Sequence, residues 1–327
     1  LDYGDLPQTG NGDAFSTTMA NNGALHLILP GFKLGASVDP EQDGAPNANA
    51  DGDDISNTGS ADDEDGVSFI TPLIPGNNAS ISVVSMNPTG AAAVLQGWID
   101  WNNNGLLDAS EALAFTSSVI PTGNATTTFT FPVPAAAIFN DGMVFARFRL
   151  SPTGGLTANG PDKFGTAPVP QGEVEDYKLN VGKVGNLVWE DRDFDGVQDA
   201  PATEPGINGV SVQLVWAGAD NTIGGADDVT YVALTTGSGT FNQGEYYYCG
   251  LIPGTYKMIY GTPTNMTPTR TNQGGNDVLD SDGAITGMNL TMAMETFTIA
   301  SVTALPTAEN GNGDNGTAPT GTFPDAQ

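Results

Sequence analysis

The chain has 327 residues, enough for two ordinary domains, and its 38 acidic residues against nine basic ones give a formal net charge of −29. This charge argues against nucleic acid and anionic membrane surfaces as partners and favours divalent cations. The single cysteine, Cys249, excludes an intramolecular disulfide, and no apolar run is long enough to insert into a bilayer.

The pattern of apolar residues predicts an all-β chain. Short segments of alternating apolar and polar residues, bounded by Gly, Pro, Asn and Asp, recur throughout, and helical periodicity is absent. The apolar positions that alternate are Ile81 and Val83; Phe129, Phe131 and Val133; Val210, Val212, Leu214 and Trp216; Tyr256, Met258 and Tyr260. Strands that bury one face suit sandwiches, so we predict two β-sandwich domains in tandem with calcium-binding loops.

The first 66 residues form a leader rich in Gly, Asp and Asn, with few strand-like runs. Two carboxylate clusters lie in it, at residues 51–54 and 62–65. One interpretation is a solvated loop; the other is that Asp62 and Glu64 complete a cation site that holds the leader down. We expect this leader to have little hydrophobic core of its own. Since the chain begins at Leu1 and has no signal-peptide apolar region, we expect a processed, secreted form.

The stretch from Trp98 to Glu111 has the ligand spacing of an EF-hand calcium loop. Gly105 stands at position 6, where the sharp turn needs a positive φ. The preceding Gly-Trp-Ile-Asp-Trp is strand-like, so the loop would join β-strands. The alternative is an ordinary Asn- and Gly-rich hairpin. Oxygen ligands fall at positions 1, 3, 5, 7, 9 and 12, which are Asp100, Asn102, Asn104, the Leu106 carbonyl, Asp108 and Glu111.

A Gly-Glu-Val-Glu-Asp-Tyr segment begins at residue 172. In a strand, Glu173 and Glu175 point to one face, and Arg147 and Arg149 show the same two-residue spacing. We therefore predict cross-strand pairing of the arginines with the glutamates. The rival interpretation is calcium ligation by Glu173, Glu175 or Asp176.

Several blocks of the first half occur together and in order: Asp-Tyr-Gly-Asp at residue 2, the acidic run at residue 62, the Trp98 loop, Ala-Arg-Phe-Arg at residue 146 and the hexapeptide at residue 172. Together they resemble the GEVEDY domain of bacterial surface and secreted proteins, over residues 1–181. The resemblance implies an extracellular β-sandwich module without a catalytic assignment.

A second loop with EF-hand spacing begins at Asp191, after Trp-Glu. Position 12 is Ala202, which departs from the pattern. Glu204 lies two residues further on and would supply the carboxylate if the loop bulges. The ligands at positions 1, 3, 5, 7 and 9 are Asp191, Asp193, Asp195, the Val197 carbonyl and Asp199.

The second half resembles the B-repeat domain of serine-aspartate repeat surface proteins, a prealbumin-like relative of the Cna B-type module, over residues 182–327. The resemblance is carried by Val-Gly-Asn-Leu-Val-Trp at residue 184, the second loop, Gly-Ile-Asn-Gly-Val at residue 206 and Gly-Leu-Ile-Pro-Gly-Thr-Tyr at residue 250. Gln243 stands where the family's usual Asp precedes glycine, and the C-terminal end differs from the usual Asp-Ala-Gly-Phe.

Two further acidic loops lie in the second half, and similar loops in the family bind calcium. Neither loop has a complete ligand spacing, so each is either a cluster of calcium ligands or a solvated turn. Their members are Asp220, Asn221, Asp227 and Asp228 in one loop and Asp277, Asp280 and Asp282 in the other.

Catalytic patterns are absent from the sequence. The single histidine, His26, sits in an apolar run and is interpreted as a half-buried strand residue rather than a base. No phosphate loop, zinc spacing or nucleophile elbow occurs. Glu173 and Glu175 would suit glycoside hydrolysis only if one carboxylate were set apart from the others. We expect no enzyme.

The leading hypothesis is an extracellular, calcium-stabilised structural or adhesive surface protein, the subunit of a homopolymeric fibre or stalk. Segment 299–305, or the end around Phe323, would add to a sheet edge of the next subunit; the alternative is that this tail packs on its own domain. A different function class is a carbohydrate- or protein-binding module detached from a larger secreted protein. Such a module needs an exposed aromatic platform, for which residues 246–248 and the tryptophans are the candidates.

Overall fold

The computed structural model describes residues 1–8, 15–52, 63–139, 142–160, 168–271, 273, 281, 284–285 and 292–299. These residues form strands joined by turns, with two 3₁₀ turns at Met19–Asn21 and Ala109–Glu111. The predicted all-β class is therefore confirmed. The chain divides into two compact units, Leu1–Leu179 and Asn180–Gln327. Within the described ranges, no helix has the length and apolar character needed to cross a membrane.

The first unit contains two main sheets and a small strand pair. One sheet has the strand order β10-β9-β6-β7; in the other, β3, β4 and β8 all pair with β5, and β1 pairs with β2. The strands are β1 Asp2–Tyr3, β2 Leu25–His26, β3 Lys33–Leu34, β4 Val67–Phe69, β5 Asn78–Asn87, β6 Ala93–Ile99, β7 Val119–Ile120, β8 Gly123–Pro132, β9 Met143–Ser151 and β10 Glu173–Asn180.

The core of this unit lies between the two sheets. The alternating residues predicted to point inward do so: Ile81 and Val83 on β5 are fully buried, as is Phe131 on β8. Across the sandwich, the ring of Phe69 on β4 meets that of Phe148 on β9 with centroids 6.1 Å apart. The period of two in the sequence thus sets which strand faces form the core.

The leader differs from the sequence-based expectation, because it contributes to the core. Leu6, Phe15 and Leu34 are each at most 2% exposed. Leu6 and Phe15 belong to one buried cluster with Trp98. The expectation of a leader with little core was wrong because its apolar side chains are isolated among Gly and Asp residues, and therefore show no periodicity, yet they converge on one sandwich.

The second unit is built on a large antiparallel sheet and a separate strand pair. The large sheet has the order β13-β12-β16-β18-β17, with β14 also pairing with β12, and β11 pairs with β15. The strands are β11 Gly182–Val184, β12 Ser211–Trp216, β13 Val229–Thr230, β14 Leu234–Thr235, β15 Tyr248–Leu251, β16 Gly254–Gly261, β17 Ala284–Ile285 and β18 Met292–Ile299.

The buried face of this second sheet carries the apolar residues that alternate in the sequence. Val212 and Leu214 on β12 are fully buried, as is Tyr256 on β16. The Tyr256 ring stacks on Phe297 of β18 with centroids 5.6 Å apart. The Tyr248 hydroxyl donates to the carbonyl of Val212 at 3.0 Å, so this tyrosine fastens β15 to the large sheet.

His26 is a strand residue of β2, as predicted, but it lies in the interior of the first unit instead of being half-buried. It is 0% exposed, and its Nε2 accepts a hydrogen bond from Arg149 Nε at 2.9 Å. The Arg149 guanidinium also donates to the carbonyls of Thr157 and Leu25. Burial, and then the charge of Arg149, lowers the pKa of His26 well below its usual range, so the imidazole stays neutral in the folded chain.

We expect the stabilising effect of His26 to fall as the pH drops below about 6.5, its pKa in the unfolded chain. Below that value the unfolded chain takes up a proton that the folded chain does not, so each further pH unit costs up to about 1.4 kcal/mol. The measurement is the free energy of unfolding of the wild type and of His26→Gln, whose amide oxygen can accept from Arg149, at pH 5 and pH 7.5.

The buried carboxylates contribute equally to the free energy of unfolding of the wild type and of His26→Gln. The difference between the two proteins therefore isolates the effect of His26. Burial raises the pKa of Glu173 and of Glu175. These two groups therefore lower the stability as the pH rises, which is opposite to the effect of His26. A difference between the two proteins that stays constant across this pH range would contradict the prediction.

Candidate calcium loops and the acidic strand

The first loop leaves β6 at Ile99 and ends in the 3₁₀ turn Ala109–Glu111. Its backbone folds around the carboxylate at position 1. Asp100 accepts hydrogen bonds from the amide groups of Asn104 at 3.0 Å and Gly105 at 2.8 Å. Gly105 has a φ of 77°, a conformation that favours glycine. The turn that the spacing predicted at position 6 is therefore present.

The other predicted ligands of this loop lie around the same turn. The Leu106 amide donates to Asn104 Oδ1 at 2.8 Å, and the Asp108 amide donates to Glu111 Oε2 at 2.9 Å. The Asn102 amide donates to Glu111 Oε1 at 3.4 Å. Positions 1 and 12 thus both point back at the loop backbone, although they are eleven residues apart.

Asp100 and Glu111 are buried, at 1% and 2% exposed. Burial raises the pKa of both carboxyls, and their mutual charge raises that of Glu111 further. Carboxylates crowded together away from water are costly unless a cation compensates them. The donor set is all oxygen, without sulfur or imidazole, which suits a hard cation such as calcium.

The first loop is also joined to the core and to the leader. Leu107, at position 8, belongs to the buried cluster that contains Phe15 and Trp98. The Phe15 amide donates to the Gly105 carbonyl at 3.0 Å. A cation that ordered this loop would therefore also order the leader packed on it.

The second loop shows the same hydrogen-bonding pattern at the same positions. The Gly196 amide donates to Asp191 Oδ2 at 3.0 Å, and the Val197 amide donates to Asp195 Oδ1 at 2.8 Å. One carboxylate oxygen from each of Asp191, Asp193 and Asp195 lies within 4.8 Å of the others. Burial would raise the pKa of Asp191, but hydrogen bonds from Thr269 and the loop amides outweigh burial and lower it.

Glu204 lies where position 12 of the second loop would be, despite its displacement in the sequence. Its two carboxylate oxygens accept from the amides of Arg192 at 2.7 Å and Asp199 at 2.8 Å. Asp199 is at position 9, so this bond corresponds to the one between Asp108 and Glu111 in the first loop. Glu204 is 2% exposed. The bulge that contains Pro201 thus brings the carboxylate back into the loop.

The third acidic loop is an exposed turn whose carboxylates accept backbone hydrogen bonds. Asp227 accepts from the amides of Ala219 at 2.9 Å and Asp220 at 3.3 Å, and Asp228 accepts from Gly224 at 2.7 Å. The Asn221 amide oxygen accepts from the Thr255 amide at 3.2 Å, and therefore ties the loop to β16.

The remaining predicted ligands are only partly accessible to description. Asp62, Asp277, Asp280 and Asp282 lie outside the described residues. Glu64 is described and half-buried. Burial raises the pKa of Tyr177, and the charges of Glu175 and Glu64 raise it further. Since Tyr177 is on β10, Glu64 lies near the acidic strand.

The predicted pairing of Arg147 and Arg149 with the glutamates of β10 was wrong. Arg147 pairs with Asp176 through two bonds of 2.7 Å, from Nε to Oδ1 and from Nη2 to Oδ2. Asp176 is one residue from Glu175 and three from Glu173, both odd intervals, and so it points to the opposite face of the strand. Arg149 binds His26 and backbone carbonyls instead.

The Arg147 and Asp176 pair also fastens the leader. Both side chains are fully buried. Asp176 Oδ2 accepts from the amides of Asp5 at 2.8 Å and Leu6 at 3.0 Å, and Arg147 Nη1 donates to the Phe15 carbonyl at 3.1 Å. The acidic strand therefore uses one face for this ion pair and the other for Glu173 and Glu175.

Sequence reasoning missed a group of carboxylates brought together in the first unit. One oxygen from each of Asp2, Glu41 and Asp63 lies within 4.8 Å of the others. No spacing template could reveal this group, since its members are some twenty to forty residues apart in the sequence. The local signal was the acidic run at residues 62–65, from which the sequence predicted Asp62 and Glu64 as ligands, whereas the residue that joins the group is Asp63.

Two family models match the chain. The GEVED domain matches residues 94–180, and the SdrD B-like domain matches residues 182–312. The matches follow one another in the order that the sequence motifs indicated.

Curated relatives match about a third of the chain. It is 38% identical over 110 residues to serine-aspartate repeat-containing protein D of Staphylococcus aureus (strain Newman), which is 34% of this chain and 7% of that protein. It is 38% identical over 115 residues to serine-aspartate repeat-containing protein C of S. aureus (strain N315), which is 35% of this chain and 10% of that protein. The matches thus span a tenth or less of each relative.

One solved structure, the periplasmic chaperone SfaE, aligns with 59% of this chain and 92% of its own at 14% identity and a TM-score of 0.22. A likeness at that TM-score has no bearing on the fold.

Proposed function

Because the chain carries a GEVED domain followed by an SdrD B-like domain, we propose that it is a calcium-stabilised structural part of an extracellular bacterial surface protein. The observation that carries the proposal is the shared backbone arrangement of the two EF-type loops. In both, the amide at position 6 donates to the aspartate at position 1, and the amide at position 9 donates to a buried glutamate.

Calcium takes the stabilising role that disulfides have in many secreted domains. The single cysteine, Cys249, is a free thiol, and the net charge of −29 opposes compaction unless cations bind. Each loop also fastens separate segments: the first is joined to the leader at Phe15, and the second to the segment around Thr269. Loaded loops would make each unit stiffer, as a structural element requires.

The aromatic side chains favour this structural role over a binding module. Of the three consecutive tyrosines, Tyr246 and Tyr248 are at most 5% exposed, and Tyr247 is 40% exposed. Tyr247 is itself engaged, since Phe241 meets its ring at 4.9 Å and Lys183 Nζ lies 3.7 Å from its centroid. Trp98, Trp101 and Trp216 are buried. These residues therefore do not form a flat, exposed aromatic platform for a sugar or peptide.

Assembly into a homopolymeric fibre is the second part of the proposal. The edge strands β7 and β13 carry valines that are 49% exposed at Val119 and 38% exposed at Val229. Open sheet edges with exposed apolar residues can accept an added strand. The segment proposed to supply that strand, around residues 299–305 and Phe323, lies outside the described residues apart from Ile299.

The experiment is light scattering and negative-stain electron microscopy of the chain in calcium, in magnesium and in excess chelator. We expect filaments in calcium that are lost in chelator and on deletion of residues 300–327, which removes both candidate donor segments. Monomer under all three conditions, or filaments unchanged by the deletion, would rule out this route of assembly.

A further inference from the structure

Three segments of the first unit that are far apart in the sequence bring acidic side chains to one buried place. Asp2 is on β1, Glu41 and Asp63 lie in the leader, and one oxygen from each lies within 4.8 Å of the others. Asp2 and Asp63 are 2% and 5% exposed. Glu173, the first glutamate of β10, is 1% exposed and close enough to both for their charges to act on it.

Each of the four carboxylates is positioned by a backbone amide. Tyr3 donates to Glu41 Oε2 at 2.9 Å, Val174 donates to Asp2 Oδ2 at 2.6 Å, and Asp39 donates to Asp63 Oδ2 at 2.8 Å. The Leu34 amide donates to Glu173 Oε2. These bonds fix the carboxylates in place, because three of the donors, Tyr3, Leu34 and Val174, lie in strands of the same unit.

The second oxygen of Glu173 is the observation that points to a ligand. Glu173 Oε1 is buried and accepts no hydrogen bond. A buried carboxylate oxygen without a partner costs the desolvation of that group, and native structures rarely tolerate it. By contrast, both oxygens of Glu175, two residues on, are satisfied by the Gly66 amide and the Tyr177 hydroxyl. Of these two glutamates, Glu173 is therefore the one with a buried oxygen left for a ligand.

Arg149 acts on this group through Asp2, and its guanidinium is held by partners outside the group. The guanidinium donates to His26 and to the carbonyls of Leu25 and Thr157. Three carboxylates lie together and the charges of two of them, Asp2 and Asp63, act on Glu173, so negative charge is concentrated in one place. A divalent cation among them would both offset the charge and accept Glu173 Oε1 as a ligand.

We propose that Asp2, Glu41, Asp63 and Glu173 form a third calcium site, one that joins the leader to the acidic strand. The donors are all carboxylate oxygens, which selects a hard cation, and their irregular arrangement suits calcium better than the strict octahedron of magnesium. The site differs from the two EF-type loops because its ligands come from four separate segments. It gives the first glutamate of the acidic strand a role distinct from that of Asp176, which binds Arg147.

The test counts bound calcium per chain by equilibrium dialysis and elemental analysis of the metal-stripped full chain. Glu173→Gln keeps an oxygen for the Leu34 amide but loses the charge, and Asp63→Asn does the same for Asp39. We expect each variant to bind one ion fewer than the wild type. The matched control is Asp65→Asn, an exposed neighbour whose Oδ1 accepts from the Ala36 amide, and we expect its count to be unchanged.

A second measurement covers the case in which Glu173→Gln or Asp63→Asn fails to fold. Hydrogen exchange of the amides in residues 1–6 of the wild type should slow about ten-fold in 1 mM calcium, for a dissociation constant of about 0.1 mM. The double variant Asp100→Asn, Asp191→Asn, in which both EF-type loops are disabled, should keep this protection. Such a result would separate the new site from the loops.

Unchanged ion counts in both variants would overturn the proposal, and so would exchange at residues 1–6 that is the same with and without calcium. Loss of that protection in the double loop variant would assign it to the first loop, which contacts Phe15, and would equally overturn the site.

Discussion

Arg147→Met is expected to lower the free energy of unfolding of the first unit by about 3–5 kcal/mol, because it leaves a buried carboxylate without its cation. Asp176 is fully buried, and its two bonds to Arg147 measure 2.7 Å each. The guanidinium also donates to the carbonyls of Phe15 and Ala158, both at 3.1 Å. Methionine fills similar space but replaces none of these bonds.

The matched control for this substitution is Arg192→Met in the second unit. Arg192 pairs with Glu190 at 2.8 Å, but the two side chains are 52% and 38% exposed. An exposed pair contributes about 0–1 kcal/mol. Chemical denaturation followed by tryptophan fluorescence measures both variants. Equal losses for Arg147→Met and Arg192→Met would show that the buried pair does not hold the leader.

The second large effect is expected for Gly172→Ala, at the glycine that opens the acidic strand. Gly172 has a φ of 141°, and an added Cβ would lie 1.8 Å from the Leu150 carbonyl oxygen and 2.9 Å from His26 Nδ1. Backbone strain of about 1–3 kcal/mol and overpacking of about 1–3 kcal/mol combine, because the neighbouring atom belongs to the backbone of β9 and cannot rotate away.

Gly90→Ala separates strain from crowding. Gly90 has a φ of 76° and nothing within 4 Å of an added Cβ, so its cost is the strain of a left-handed alanine, about 1–2 kcal/mol. We expect a thermal melt to show Gly172→Ala as clearly less stable than Gly90→Ala. The same loss in both variants would mean that the approach of β9 to Gly172 does not constrain the fold.

The features that sequence could predict are local ones. Positions 1, 5, 6 and 9 of each loop are fixed by contacts within a dozen residues, so spacing alone indicated the turn and its glycine. Glu204 was identified as an alternative to Ala202 for the same reason. Alternation of apolar residues likewise indicated which faces of β5, β8, β12 and β16 are buried.

Features that depend on distant segments escaped prediction. The two-residue spacing of Arg147 and Arg149 suggested the glutamates as partners, but the partner of Arg147 is Asp176 on the other face of β10. Spacing along a strand shows which residues share a face. It does not show which face meets the side chains of a neighbouring strand. Leu6 and Phe15 were passed over for a similar reason, since only the folded leader brings them to Trp98.

The central claim, that calcium stabilises both units, is tested most directly by calorimetry of the metal-stripped chain in 5 mM calcium, in 5 mM magnesium and in excess chelator. For a dissociation constant of about 0.1 mM, one site contributes about 2.3 kcal/mol at 5 mM calcium, which corresponds to a rise in Tm of about 5–9 °C for a unit of this size. We predict that rise for both units in calcium, with Asp100→Asn losing it in the first unit and Asp191→Asn losing it in the second. Melting temperatures that are the same in calcium and in chelator would contradict the account.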